Sequence, residues 1–192
     1  MLAYVRPAGI LVALFTLLTG LAYPLTMTGL SQLALPNSAN GSLIVRDGVT
    51  IGSRLIAQAF TSDRYFRARP SAAGEKGYDA VASSGSNLGP TSRKLALRID
   101  ADVALLKMEG ATIIPADAVT ASASGLDPHI STEFALLQVP RVAAARKVTV
   151  ERVKSLVEQN TKRGLFGIFG EPRVNVLELN LALDAALGKD AR

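Results

Sequence analysis

Between Arg6 and Arg46 the chain carries no charged residue, and that gap decides more about its fold than any other feature. From Ala8 to Leu30 the sequence runs AGILVALFTLLTGLAYPLTMTGL, about 23 residues, long enough as a helix to cross a hydrocarbon layer of roughly 30 Å. Ten of these residues are Leu, Ile, Val or Phe, and together they favour insertion by roughly 3–6 kcal/mol, before smaller costs from Thr, Gly and Pro24. A cleaved signal peptide would have a shorter apolar run ending at a small-x-small site. No convincing site of that kind follows, so the segment reads as a retained anchor. Arg6 at one end of the span points to a cytoplasmic N-terminus and a domain outside.

The expected organisation is an anchor over 1–34 with its span at about 8–30, a linker over 35–42, and a soluble extracytoplasmic domain over 43–192. Gly9, Ala13, Thr16 and Gly20 recur at helical spacing and form a stripe of small residues, the kind of face that lets a partner helix approach closely in lipid. Pro24 is expected to kink the last turns or to mark where the helix loosens. The linker is "LPNSANGS".

Beyond it, "SLIVRDGVTIGS" sets Asp47-Gly48 between two β-branched runs and predicts a tight hairpin. "RLIAQAF" (54–60) has helical spacing, and the Gly/Ser/Pro-rich segment 65–92 reads as a long ordered loop of the kind that often carries function. A helix is expected from Thr91 or Ser92 to about Glu109. A second begins with Ser131 as N-cap and Glu133 in its first turn, with Pro140 breaking or restarting it. A third, capped by Thr149, runs towards Lys162, Arg163 and Gly164, followed by the apolar loop "GLFGIFGEP". "NVLELNLALDAAL" could be an alternating strand, but Asn175 and Glu178 at capping-box spacing favour a helix. The class is therefore α+β: one N-terminal transmembrane helix, then a single helix-rich domain with a small hairpin or sheet.

Composition excludes several chemistries. The chain has no cysteine and one histidine, which removes disulfide scaffolds, thiolate nucleophiles and thiolate metal sites; no metal site is expected. The net charge of +5 is spread without a basic block and aromatic residues are sparse, so nucleic acid is not an expected partner. "GEKG" and "SSGSNLG" do not supply the spacing of a phosphate-binding P-loop, although backbone amides in such loops can cradle an anion. The histidine lies in "ASASGLDPHIS" (121–131). Asp127, His129 and nearby serines give a hydrolase every residue type it needs. Pro128 makes a local triad awkward, however, and there is no nucleophile elbow. A rigid turn that starts a helix is the preferred reading, with Asp127 and His129 pairing or meeting a partner; a membrane-anchored hydrolase using His129 is the alternative.

Taken together, "YFRARPSAAGEKGYD", "SSGSNLGPTS", "TASASGLDPHIS", "ALLQVPRVAAAR" and "GEPRVNVLELNLALD" resemble the C subunit of the Kdp potassium-transporting ATPase, from the span nearly to the C-terminus. Where many members of that family have glycine, this chain has Ala123, a departure that bears on one local backbone conformation. The resemblance implies a bacterial inner-membrane complex in which an A subunit conducts potassium, a B subunit hydrolyses ATP as a P-type pump, and a small F subunit assists. A chain of this kind would be non-catalytic. The resemblance further implies a "catalytic chaperone" role that raises the ATP affinity of the B subunit, with nucleotide binding around Ser124, Gly125, Asp127, His129 and Gln138. A domain outside the membrane has no access to cytoplasmic ATP, so help in assembly and stabilisation is the favoured expectation.

Overall fold

A computed structural model describes residues 2–164 and 170–188. Contacts divide the chain into a first unit that ends at Ile51 and a second that starts at Gly52.

The first unit is dominated by a helix. α1 (Leu2–Leu17) runs into a π turn (Leu18–Ala22) and then α2 (Tyr23–Ala34), and the stretch Ala3–Ala34 is long and apolar enough to cross a membrane. The π turn lies immediately before Pro24, which has no N–H to give the preceding turn. Tyr23 instead donates to the Leu18 carbonyl, five residues back. The loosening expected from Pro24 therefore takes the form of a wider turn. A short helix, α3 (Pro36–Ala39), follows, and Gln32 and Asn40 exchange two side-chain hydrogen bonds of 3.2 and 3.1 Å across it. β1 (Leu43–Arg46) and β2 (Val49–Ser53) then pair as the expected hairpin. Its turn places Asp47 at φ 52° and Gly48 at φ 77°, the positive-φ pair that matches the twist of the strands.

The second unit carries the core. α4 (Arg93–Met108), α5 (Thr132–Arg146), α6 (Val150–Gln159) and α7 (Val176–Leu187) are capped by Ser92, Ser131, Thr149 and Asn175, each accepting a backbone N–H three residues on. α5 packs on α6 and α6 on α7. Beside them β3 (His129–Ser131), β5 (Arg173–Asn175) and β4 (Thr161–Lys162) form a small antiparallel sheet in that order, with Ile130 opposite Val174 and His129 opposite Asn175. Phe66, Val142, Val153, Val157, Val174, Leu179 and Leu183 are fully buried where sheet and helices meet.

Three local expectations change. "RLIAQAF" is not helical: residues 54–60 form a turn and irregular backbone, because Ala57 donates to the Leu126 carbonyl at 2.9 Å and the segment is recruited by a distant turn. Pro140 does not break α5, which continues through it. The proline is exposed, while Val139, Val142 and Ala143 around it are buried, and this packing keeps the two halves in line. α6 stops at Gln159, and Thr161 and Lys162 leave it to pair with β5. Of the apolar loop "GLFGIFGEP", residues 165–169 lie outside the described residues.

The segment 65–92 has no element longer than one 3₁₀ turn, Ala80–Ala82, yet it is fixed at both ends. Near its start Arg146, 1 % exposed, donates to the Arg64 carbonyl at 2.8 Å and to Asp184 at 2.7 Å, and its guanidinium lies 5.0 Å from the centre of the Tyr65 ring. Arg146→Ala would leave a buried carboxylate without its counter-charge, so a loss of about 3–5 kcal/mol is expected. The check is a urea unfolding curve of the full chain in neutral detergent. In the same assay the Arg146→Met, Asp184→Leu double variant should recover a large part of that loss, since an apolar pair leaves no charge unpaired.

Candidate functional site

The turn SASGLDPHIS is built from its own hydroxyls. Ser122, which is buried, accepts the Asp127 N–H at 3.4 Å, and Ser124 accepts the Leu126 N–H at 3.1 Å. Gly125 has φ 68°, and a Cβ there would stand 2.7 Å from both the Ala73 nitrogen and the Ser84 carbonyl oxygen. Only glycine meets both demands. Ala123, by contrast, is not among the residues with positive φ, so its backbone conformation does not call for glycine.

The long loop docks onto this turn. Ser71 donates to the Gly125 carbonyl at 2.6 Å and accepts the Tyr78 N–H at 2.8 Å. Ser84 N–H and the Ser83 hydroxyl both reach the Ser124 carbonyl at 3.0 Å. Arg69 then bridges the two layers: Nη1 lies 3.3 Å from Asp127 Oδ2, Nη2 lies 3.3 Å from Thr120 Oγ1, and Nε donates to the Thr120 carbonyl at 3.4 Å.

Asp127 and His129 do come together. The His129 N–H donates to Asp127 Oδ1 at 3.0 Å, and the imidazole Nδ1 stands 3.6 Å from the same oxygen, close enough to feel its charge but too long for a good hydrogen bond. The His129 ring, its backbone N–H and the Arg69 guanidinium hold the Asp127 carboxyl below the usual carboxylate range, against the opposing effect of burial. Ser131 is spent elsewhere: it accepts the Phe134 N–H at 3.0 Å as N-cap and donates to Asp117 at 2.9 Å. Among the described residues no hydroxyl is hydrogen-bonded to the His129 ring, and no group of three or more His, Asp or Glu stands close enough together to hold a metal ion. A base and its orienting acid are present without a nucleophile beside them.

Two open cavities flank the Arg69–Asp127 pair, one of 450 Å³ that also touches His129, Asp117 and Arg173, the other of 570 Å³ that also touches Ser122 and Ser124. Gln138 lines neither. It is buried on α5, where its amide accepts the Arg67 N–H at 2.8 Å, donates to the Arg67 carbonyl at 3.1 Å and accepts Arg141 at 2.7 Å. Ser124, Gly125, Asp127 and His129 thus share one turn, and Gln138 belongs to a different seam.

On the membrane helix, Gly9, Ala13, Thr16 and Gly20 are all exposed, and nothing lies within 4 Å of a Cβ built on Gly9 or Gly20. The first three sit on α1 and Gly20 within the π turn. Sequence reasoning did not single out Arg69, Arg146 or Asn180. Their partners are 58, 38 and 114 residues away, and no local pattern announces such distances.

A long apolar helix thus precedes a helical domain whose Gly/Ser turn is stitched into the fold. Among known proteins, residues 5–185 match the family model of the K+-transporting ATPase c chain, KdpC, and the chain belongs to that family. Potassium-transporting ATPase KdpC subunits from Rhodopseudomonas palustris strain BisB18 and Caulobacter vibrioides strain NA1000 are each 54 % identical to it, the first over 97 % of this chain and all of the relative, the second over 96 % and 94 %. The one from Methylobacterium nodulans is 52 % identical over 98 % of this chain and all of its own length.

Asp127 gives a pH-dependent prediction. Its folded-state pKa is lower than that of the unfolded chain, so the ionised group contributes stability above about pH 4 that is lost as pH falls through the depressed folded value. Asp127→Asn is expected to cost about 1 kcal/mol near pH 7, and its difference from wild type should disappear in acid. A difference that stays constant from pH 7 down to pH 3 would refute this. Gly125→Ala should cost more, about 2 kcal/mol or above, at every pH, because strain and overlap do not titrate.

Proposed function

We propose that this chain is a non-catalytic subunit of an ATP-driven potassium-transporting complex, and that it assists the assembly and stability of the channel, the P-type ATPase and the small F subunit. In this reading residues 1–34 are a membrane anchor with a cytoplasmic N-terminus, 35–42 a linker, and 43–192 an extracytoplasmic domain. Gly9, Ala13, Thr16 and Gly20 form the face that packs against a helix of the channel subunit. The observation that carries the proposal is the commitment of the chemistry-bearing groups to the fold. Asp127 is engaged by Arg69 and His129, Ser131 by Asp117 and α5, and Gln138 by Arg67 and Arg141.

The second role implied by the family, raising the ATP affinity of the B subunit, is then exerted through the assembled complex. Direct nucleotide binding at Ser124, Gly125, Asp127, His129 and Gln138 is disfavoured by the burial of the Gln138 amide and the pairing of Asp127. A hydrolase using His129 would need a nucleophile that the turn does not present.

Two experiments test the reading. Val81 is 97 % exposed, and the chain has no native cysteine, so a Val81→Cys variant should react with a membrane-impermeant maleimide once the outer barrier alone is opened. Reaction only after the inner membrane is permeabilised would reverse the topology and restore direct contact with ATP. A Gly9→Leu, Gly20→Leu double variant should reduce co-purification with the channel subunit by about tenfold, the size expected from losing 1–2 kcal/mol of close helix packing. The ATP concentration that half-saturates whatever complex is recovered should stay unchanged; unimpaired assembly would overturn the packing face.

A further inference from the structure

A third cavity, separate from the SGLDPHIS turn, is lined by Ser71, Gly85, Ser86, Leu88, Lys94 and Arg98 together with Ala72, and has a volume of 320 Å³. Its charged lining is cationic only. Lys94 is exposed and makes no ion pair or hydrogen bond among the described residues. Arg98 spends one Nη2 hydrogen bond on the Val119 carbonyl at 3.3 Å, while its buried Nε finds no partner. Asp102, one turn further along α4, feels the Arg98 charge but forms no ion pair with it and does not line the cavity. Burial raises the Asp102 pKa, and the Arg98 charge opposes that rise.

The lining adds donors and contains no Asp or Glu. The Ser86 hydroxyl makes no hydrogen bond within the described fold, and the backbone N–H groups of Gly85, Ser86, Asn87 and Leu88 find no acceptor there. Lys94 lies in the first turn of α4, which contains no acidic residue, whereas α5, α6 and α7 open with Glu133, Glu151 and Glu178. Cations at the positive end of a helix dipole are mutually unfavourable unless an anion joins them. A point-charge ammonium, a planar guanidinium with a free edge and a hydroxyl around one concavity suit a tetrahedral oxyanion.

We propose that this cavity binds a phosphate-type oxyanion, Lys94 and Arg98 supplying the charge and Ser86 with the adjoining amides supplying further donors. The ligand is inorganic phosphate or the headgroup of an anionic phospholipid, which present the same chemistry to the site. The site shares no residue with Ser124, Gly125, Asp127, His129 or Gln138.

The test uses the full chain. In neutral detergent, sodium phosphate at about ten times its Kd should raise the unfolding midpoint by roughly 3–6 °C relative to sodium chloride of equal ionic strength. Lys94→Gln should weaken the response at least about tenfold, as expected for a charge-assisted contact; Lys154→Gln, which removes an exposed cation on α6, should not. Arg98→Gln repeats the measurement from the second cation. The same proteins are then placed in nanodiscs of phosphatidylcholine with or without phosphatidylglycerol. A response to phosphate assigns the free ion. A midpoint raised only by phosphatidylglycerol, and lost in Lys94→Gln, assigns the headgroup. Equal behaviour in phosphate and chloride together with equal behaviour in the two discs, or identical responses from Lys94→Gln and Lys154→Gln, overturns the proposal.

Discussion

The domain depends on how the backbone from Asp63 to Arg67 is satisfied. A turn at Asp63 and Arg64 and a bend at Tyr65 lead into Phe66 and Arg67, which belong to no sheet, and burying this backbone without partners would cost about 1–3 kcal/mol for each lost hydrogen bond. Side chains from two helices take the place of a neighbouring strand. Asn180 on α7 binds both backbone groups of Phe66, at 2.8 and 2.9 Å. Gln138 on α5 does the same for Arg67 at 2.8 and 3.1 Å. Arg141 reaches the carbonyls of Asp63 and Tyr65, and Arg146 that of Arg64. An amide carries a donor and an acceptor in one plane, so it can stand in for a strand residue where a purely apolar side chain cannot. The result places Phe66 at zero exposure in the core.

The Gly/Ser turn solves the same problem for the other end of the long loop. Here the loop is held by the backbone carbonyls of Ser124 and Gly125, which accept from Ser83, Ser84 and Ser71, while the Leu126 carbonyl accepts from Ala57 ahead of the loop. Such close stacking of two backbones requires a residue without a Cβ, and Gly125 provides it. Arg69 closes the seam electrostatically. Gly125, Ser124 and Asp127 of this turn thus act as a joint that fastens the loop.

How far the sequence reveals this depends on the range of each interaction. The Asp47-Gly48 hairpin and the caps at Ser92, Ser131, Thr149 and Asn175 were legible because each rests on a contact within a few residues. The α+β class followed from the same signals. "RLIAQAF" misleads because a turn some 70 residues away claims the Ala57 N–H, and Pro140 misleads because tertiary burial outweighs the loss of one helical hydrogen bond. At the candidate site the pairing of Asp127 with His129 is readable from two residues of spacing. The amides of Gln138 and Asn180 and the cations of Arg69 and Arg146 act across the fold, and one chain alone gives no sign of their partners.

The same backbone accounting extends to the membrane helix, with different means. In lipid no water is available to a carbonyl that Pro24 leaves without its N–H. Widening the turn by one residue lets Tyr23 reach Leu18, and the Thr19 hydroxyl donates to the Phe15 carbonyl at 2.7 Å within the same helix. The widened turn, Leu18–Ala22, contains Gly20. On the proposed reading, in which this face packs against a partner helix, the wider turn falls where the side chains are small and a neighbour can cover the backbone.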